Sequence, residues 1–418
     1  MQLIGRLLMG IALVGSVTAG TAAAQWPQFR GPTGDGHVTA GSLPVRWDET
    51  SGVTWKSTVP GRGHSSPVVA GGLVWLTTAI EHEPSLRALA FDQTDGSLVH
   101  DIELFRPEEL EPIHHTNTYA SPTPVLDEGK VYVHFGSYGS ACIAAETGDV
   151  VWRNADIKVD HQNGPGSSPV LVDGLLITHY DGIDQQFIAA LKAADGSLAW
   201  RTERSGELND KPDMKKAYCT PAVIETARGL ELISPAADWV YGYDPASGEE
   251  LWKIAYGELG FSTVPKPVVG DDFAYICTSF TRSRLLAIRY DGQGDVTSSH
   301  VAWTSDSLIP KKPSLLLIDD LLVVGNDAGI ITCLDARSGR EIWRERIGGN
   351  FSASPLYADG RIYFFSEAGI TTVIAAAEQF ELLATNELGD GFTASPAAAD
   401  NALFLRSQSA LYRIDAEN

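Results

Sequence analysis

The side chains best suited to chemistry in this 418-residue sequence are its histidines, and they are unevenly placed. His64, His82, His114, His115, His134, His161 and His179 make up seven of the ten. Imidazole serves as a metal ligand, a general base or a hydrogen-bonding group near neutral pH. No H-x-x-x-H or similar spacing pairs two of them, so a spacing-defined metal motif is missing. The segments "DGIDQQ" (181–186) and "EHEPS" (81–85) put carboxylates near some of these rings, which sets up a His–Asp pair as a general base. Neither a G-x-S-x-G nucleophile motif nor a glycine-rich phosphate loop accompanies them. Lysines follow further along (Lys215, Lys216, Lys266, Lys311 and Lys312), and then two phenylalanines, Phe351 and Phe392.

A repeat explains how residues so far apart could meet. Segments such as "SSPVVAGGLVWLTT", "SSPVLVDGLLITHY" and "ASPLYADGRIYFFS" recur along the chain. Aligned on a proline, they give eight units at Pro67, Pro124, Pro169, Pro221, Pro267, Pro313, Pro355 and Pro396, spaced by 41 to 57 residues. Each reads as a short inner strand opened by proline, a turn such as Asp359-Gly360, and a second and a third strand. In most units a Ser-Gly, Thr-Gly or Asp-Gly turn then leads to an outer strand that carries tryptophan. A period of this length with four short strands predicts an all-β, eight-bladed β-propeller of four-stranded antiparallel blades.

Trp152, Trp200, Trp252, Trp303 and Trp343 hold the outer-strand position. An outer strand has one neighbour within its sheet, so a large ring there is expected to bury against the adjacent blade and lock the two together. His100 and Leu383 stand at this position in two units, and those joints are expected to be weaker. The eighth unit reaches "LYRIDAEN" with no outer strand of its own. "GVTWKSTVPG" (52–61) has the missing pattern, with Trp55 in place. An amino-terminal strand near 52–59 is therefore expected to complete blade eight and close the ring.

In a propeller the loops leading into the inner strands share one face with the loops between second and third strands. They ring the mouth of the central channel. The first three carry His64, His114, His115, Tyr119, His161 and Asn163. The next carry Lys215, Tyr218, Lys266 and Lys312, and the last two Phe351 and Phe392. Together these twelve are the candidate binding residues. A histidine-rich side, suited to a metal or a polar ligand, faces a cationic and aromatic side suited to an anionic or ring-bearing one. Trp239 reads as a packed blade residue.

The 53 Asp and Glu against 31 Lys and Arg give a net charge of −22, which disfavours nucleic acid and anionic lipid as partners. Residues 1–24 read as a secretory signal: Arg6, an apolar run from Leu7 to Val17, and Ala22-Ala23-Ala24 at the cleavage site. Residues 25–418 would then form a single exported domain, periplasmic or extracellular, monomeric and without a transmembrane span. Cys142, Cys219, Cys277 and Cys333 lie singly in strand-like runs and are expected as buried free thiols.

The A-x-D/E-x-x-[TS]-G-x-x-x-W unit resembles the pyrroloquinoline-quinone-type (PQQ-like) propeller repeat. The resemblance spans nearly the whole chain after the signal. It implies one of two functions. In the propeller subunit of the outer-membrane β-barrel assembly machinery the fold is a non-catalytic scaffold, implying here an envelope protein or polysaccharide partner. In quinoprotein alcohol dehydrogenases it is a quinone- and calcium-dependent oxidoreductase with a vicinal Cys-Cys pair over the quinone. No two cysteines here are adjacent, and no calcium ligands can be assigned, so the expectation is a binding or scaffold propeller without cofactor, with the oxidoreductase as the alternative. The lipid-acceptor cysteine usual in the scaffold is also missing after the signal. The segment "QWPQFRGPTGDGHVTAGSLPVRW" (25–47) resembles the start of exported PQQ-like repeat proteins of undefined activity.

Overall fold

The computed structural model describes residues 25–38, 41–256, 260–278, 280 and 282–416; the expected signal at 1–24 lies outside them. Eight antiparallel sheets succeed one another along the chain. Blade one consists of Val68–Ala70, Leu73–Ile80, Ser85–Asp92 and Leu98–Phe105, from the channel outwards. The same order repeats through blade seven, which ends on Leu382–Glu387. Blade eight has three strands from the carboxyl end, Ala397–Ala399, Ala402–Arg406 and Ala410–Asp415. Its outer strand is Val53–Thr58, antiparallel to Ala410–Asp415 with Trp55 opposite Arg413. The ring is thus closed as the sequence predicts, by joining the two ends of the domain.

Local sequence sets this geometry. Asp173-Gly174 and Asp359-Gly360 both have positive φ at each residue, the two-residue hairpin turn that matches strand twist. Second and third strands are buried along nearly their whole length, because neighbouring blades cover both faces. Outer strands such as Leu198–Glu203 have one half-buried side and one exposed side. The core is therefore a set of layers between blades.

The tryptophans join those layers. Trp55 Nε1 donates to Gln93 O (3.1 Å), Trp152 to Ala193 O (2.9 Å) and Trp200 to Pro245 O (3.0 Å). Trp303 donates to Ala336 O (3.1 Å) and Trp343 to Ala377 O (2.9 Å). In each case the acceptor belongs to the next blade's turn before its outer strand. The glycine of that turn is the platform: the ring lies where a Cβ on Gly96, Gly196, Gly248 or Gly339 would stand, and all four have φ between 71° and 75°.

Trp252 departs from the expectation. Its ring packs on Gly242 of its own blade and Nε1 donates to Glu231 Oε2 (3.2 Å). Blade five offers no matching glycine turn. Gly294–Asp295 instead pairs parallel with the outer strand of blade four, at Trp252 and Lys253, and makes that blade five-stranded. At the two joints without tryptophan, substitutes are present. His100 lies against Gly148 of blade two. Beside Leu383, residues 45–47 strap blade seven: Arg46 Nη2 donates to Leu383 O, and Asn386 bonds both Val45 O and Trp47 N.

The sixth unit is displaced by two residues from the proline alignment. Its inner strand is Leu316–Ile318, so Leu315, not Pro313, holds the position of the other seven prolines. Hydrogen bonding identifies the same register: Ser314 of this blade, like Ser354 of the next, accepts a main-chain N–H from the blade before it.

Residues 25–38 cross the channel on the side away from the histidine loops. Trp26 bridges Val69 in blade one, and Pro27 O accepts from Leu126 N in blade two (2.7 Å). Arg30 Nη2 donates to Leu315 O (2.6 Å) in blade six, and Val38 N to Tyr357 O (2.9 Å) in blade seven. Among the described residues no helix is long and apolar enough to cross a membrane.

Candidate functional site at the channel mouth

The channel narrows to a ring of hydroxyls where the inner strands begin. Ser66 N donates to Thr123 Oγ1 (3.0 Å), Thr123 N to Ser168 Oγ (2.9 Å) and Ser168 N to Thr220 Oγ1 (3.0 Å). Lys266 N donates to Ser314 Oγ (3.0 Å), Ser314 N to Ser354 Oγ (3.0 Å) and Ser354 N to Ser395 Oγ (2.9 Å). Seven blades thus contribute a Ser or Thr; blade five contributes Lys266. These hydroxyls surround a cavity of about 110 Å³ floored by Phe29 from the crossing segment. The well is closed from below and opens towards the histidine loops.

Above it lies a mouth of about 300 Å³. His64, His114 and Asn163 line one side, Lys216, Tyr218 and Phe261 another, and Lys312 sits between. His64, Tyr218 and Lys312 line both mouth and well, so the two are one funnel. Burial, helped by the charges of Arg406 and Arg62, lowers His64 to about 4, so its ring is neutral at pH 7. Lys312 Nζ pairs with Glu367 Oε1 at 2.9 Å, and the Ser352 hydroxyl donates to the same oxygen. Burial pushes Glu367 up, but Ser352 and Lys312 outweigh it and hold the carboxyl below its usual range. Lys216 is lowered, by burial first, and its ammonium donates to Gln162 Oε1. A neighbouring cavity of about 590 Å³ adjoins at His64 and takes in His115, Arg62 and Asp390.

Of the twelve candidate residues, the mouth brings together His64, His114, Asn163, Tyr218 and Lys312, with His115 next door. It does not bring together the other six. Tyr119 is buried with its hydroxyl on Glu111 O (2.6 Å). The His161 ring sits beneath Gly136 and Pro165, between blades two and three. Lys215 closes the short turn Pro212–Met214. Lys266 lies below the hydroxyl ring, its ammonium against Gly34. Phe351 and Phe392 are wedged between blades, edge-on to Phe364 and Phe365. Their apolar rings gain more from inter-blade burial than from a wet rim.

The wider histidine rim also dissolves. His134 and His179 are buried in second strands, bonded to Ser140 Oγ (2.9 Å) and Ser234 Oγ (2.8 Å). Asp181 is held bidentately by Arg204 (2.7 and 2.9 Å), so its carboxylate is committed to that ion pair. Trp239 is a packed residue as expected, its Nε1 on Glu207 O. Sequence reasoning chose Lys215 over Lys216. Strand-like alternation would have favoured the latter, since 216 and 218 share a side. The hydroxyl ring is legible as a Ser or Thr before six of the eight aligned prolines; Lys266 precedes Pro267, and Ser314 follows Pro313.

A profile of the PQQ_2 family, described as outer membrane protein assembly factor BamB, matches residues 32–155, 139–299 and 295–382. The chain belongs to this family. It is 23% identical over 306 residues to outer membrane protein assembly factor BamB of Yersinia pestis, covering 65% of this chain and 73% of that protein. Among solved structures, BamB from Moraxella catarrhalis superposes with a TM-score of 0.62 at 11% identity, over 88% of this chain and 98% of that one. A europium-containing methanol dehydrogenase gives 0.68 at 10% identity, over 93% and 90%. At these identities the two structures establish the fold.

All four cysteines are free, buried and distant in sequence. Among the described residues no three His, Cys, Asp or Glu side chains converge to hold a metal ion.

Proposed function

We propose that this protein is an exported, non-catalytic binding propeller of the cell envelope, seating a partner at the channel mouth. One observation carries the reading. The chain has 53 acidic residues, yet the lining of mouth and well contains none, while Lys216, His114, a neutral His64 and Lys312, paired with Glu367 just outside that lining, are all there. An acid-free concavity in an acidic surface favours an electronegative group presented to it. Family membership supports the envelope setting, and the blind funnel supports binding over passage.

The test is capture of partners from an envelope extract by the full chain. Lys216→Gln combined with His114→Ala is expected to reduce the retained partner by about tenfold, as loss of central interface contacts does. Lys215→Gln, next in sequence but outside the mouth, is expected to retain it. Equal retention by both variants would remove the mouth as the binding face. Reduction of an artificial electron acceptor on addition of quinone, calcium and an alcohol would favour the oxidoreductase instead.

A further inference from the structure

We propose that the hydroxyl-lined well beneath the mouth is an oxyanion site that receives a carboxylate presented through the mouth. It rests on the reading of the mouth as the binding face and adds what chemistry that face recognises.

The hydroxyls are the first ground. All seven side chains are at least 93% buried. Six accept a main-chain N–H, and within the described residues none donates to any protein acceptor. Their O–H protons are therefore free to turn into the same small cavity. A buried donor without an acceptor is costly, so the cavity favours an occupant that accepts from several directions at once. A carboxylate has about four acceptor sites and no donor. A sugar, which must also donate, meets no carboxylate in the lining.

The charges around the well are the second ground. Lys312 stands at its lip, its charge shared with Glu367 at 2.9 Å. Lys266 replaces the hydroxyl of blade five, and Arg30 follows Phe29 of the floor. Both are buried, and Arg30 keeps Nε and Nη1 without any acceptor. Burial, reinforced by the charge of Arg30, lowers Lys266 to about 8; Asp35 opposes only in part. Cations under the floor and at the lip make the well a poor seat for a metal ion and a good one for negative charge.

A carboxylate could arrive free, on a small organic acid, or at the carboxyl end of a peptide. Titration calorimetry on the full chain at low chloride separates these with acetate, glucose, and a pentapeptide as free acid and as amide. Acetate is expected to saturate one site per chain, and glucose to give no saturable heat. Preference for the free-acid peptide over its amide by about tenfold supports a chain-end source; equal peptide binding alongside saturable acetate supports a small acid. Thr123→Val with Thr220→Val keeps shape, removes two donors, and is expected to weaken acetate at least about tenfold, whereas Thr123→Ser with Thr220→Ser stays near wild type.

The valines also leave the N–H groups of Ser66 and Ser168 unpaired. If that variant does not fold, Lys312→Gln supplies the test, with affinity and salt dependence both expected to fall. Absent saturable acetate binding, equal binding of glucose, or indifference to these substitutions would overturn the oxyanion site. Acetate binding that persists while the mouth variants keep their partner would overturn only the choice of face.

Discussion

At the scale of single residues, the histidines that drew attention in the sequence are mostly structural, and this has a consequence in acid. Burial lowers His64 to about 4, with Arg406 and Arg62 adding to it, and His161 to about 4 against the opposing Asp184 and Asp160. Burial lowers His134 to about 3 and His179 well below its ordinary value. Each folded pKa lies below the unfolded one near 6.5, so the unfolded chain binds protons first as pH falls. Stability is therefore full above about pH 6.5 and is lost as pH drops towards 4, by about 1.4 kcal/mol per pH unit for each ring that stays neutral only in the fold. Urea midpoints measured between pH 7.5 and 4.5 should fall steeply, and His134→Gln should flatten the slope. An unchanged midpoint over that window would show these rings to be solvated. Sequence could not separate the two groups, because the end of a second strand and the start of a mouth loop are a few residues apart along the chain. Only the neighbouring blade decides which imidazole is covered.

At the scale of elements, the unit of stability is the joint between blades. The sequence motif suggests that glycine and tryptophan of one repeat act together, but in the fold each glycine carries the tryptophan of the preceding blade. Gly196 has φ 73°, and a Cβ there would stand 2.5 Å from the Trp152 ring. Gly174 has a similar φ of 75° with nothing within 4 Å. Gly196→Ala is thus expected to cost the backbone strain of about 1 kcal/mol plus displacement of the indole, roughly 2–4 kcal/mol in all. Gly174→Ala should show the backbone part alone. Chemical denaturation of both variants makes the comparison; equal losses would mean that the glycine–tryptophan contact contributes nothing. The blade pattern was legible because its signals are local: proline before the inner strand, a hairpin turn, and tryptophan in the outer strand. Where one signal strayed, as at Pro313, the register slipped by two residues. The role of Trp252 was illegible for a different reason, since it depends on the turn that blade five lacks.

At the scale of the whole molecule, the amino-terminal region does two separable things. Residues 53–58 complete blade eight, and residues 25–38 floor the channel. The first was legible, because the strand carries the repeat's tryptophan. The second was not, because 25–38 has no period and touches blades one, two, five, six and seven only once the ring exists. The closure contacts bury Trp55, whose ring reaches Phe404 and the turn at Gly96. Trp55→Ala should therefore destabilise by roughly 3–5 kcal/mol, as for other buried tryptophans, and expose the edge of Ala410–Asp415 to self-association. A chain lacking 25–38 should behave differently. It loses the buried Trp26 and Arg30 and so melts earlier, but it keeps the closing strand and should elute as the full chain does, with an unchanged far-ultraviolet dichroism spectrum. Without Phe29, Arg30 and the floor they build, it should no longer retain acetate. Size-exclusion chromatography, melting and calorimetry on the two variants distinguish closure from flooring. Aggregation of the chain lacking 25–38 would show that the crossing segment also holds the ring shut, because a closed edge has no tendency to pair and an open one does.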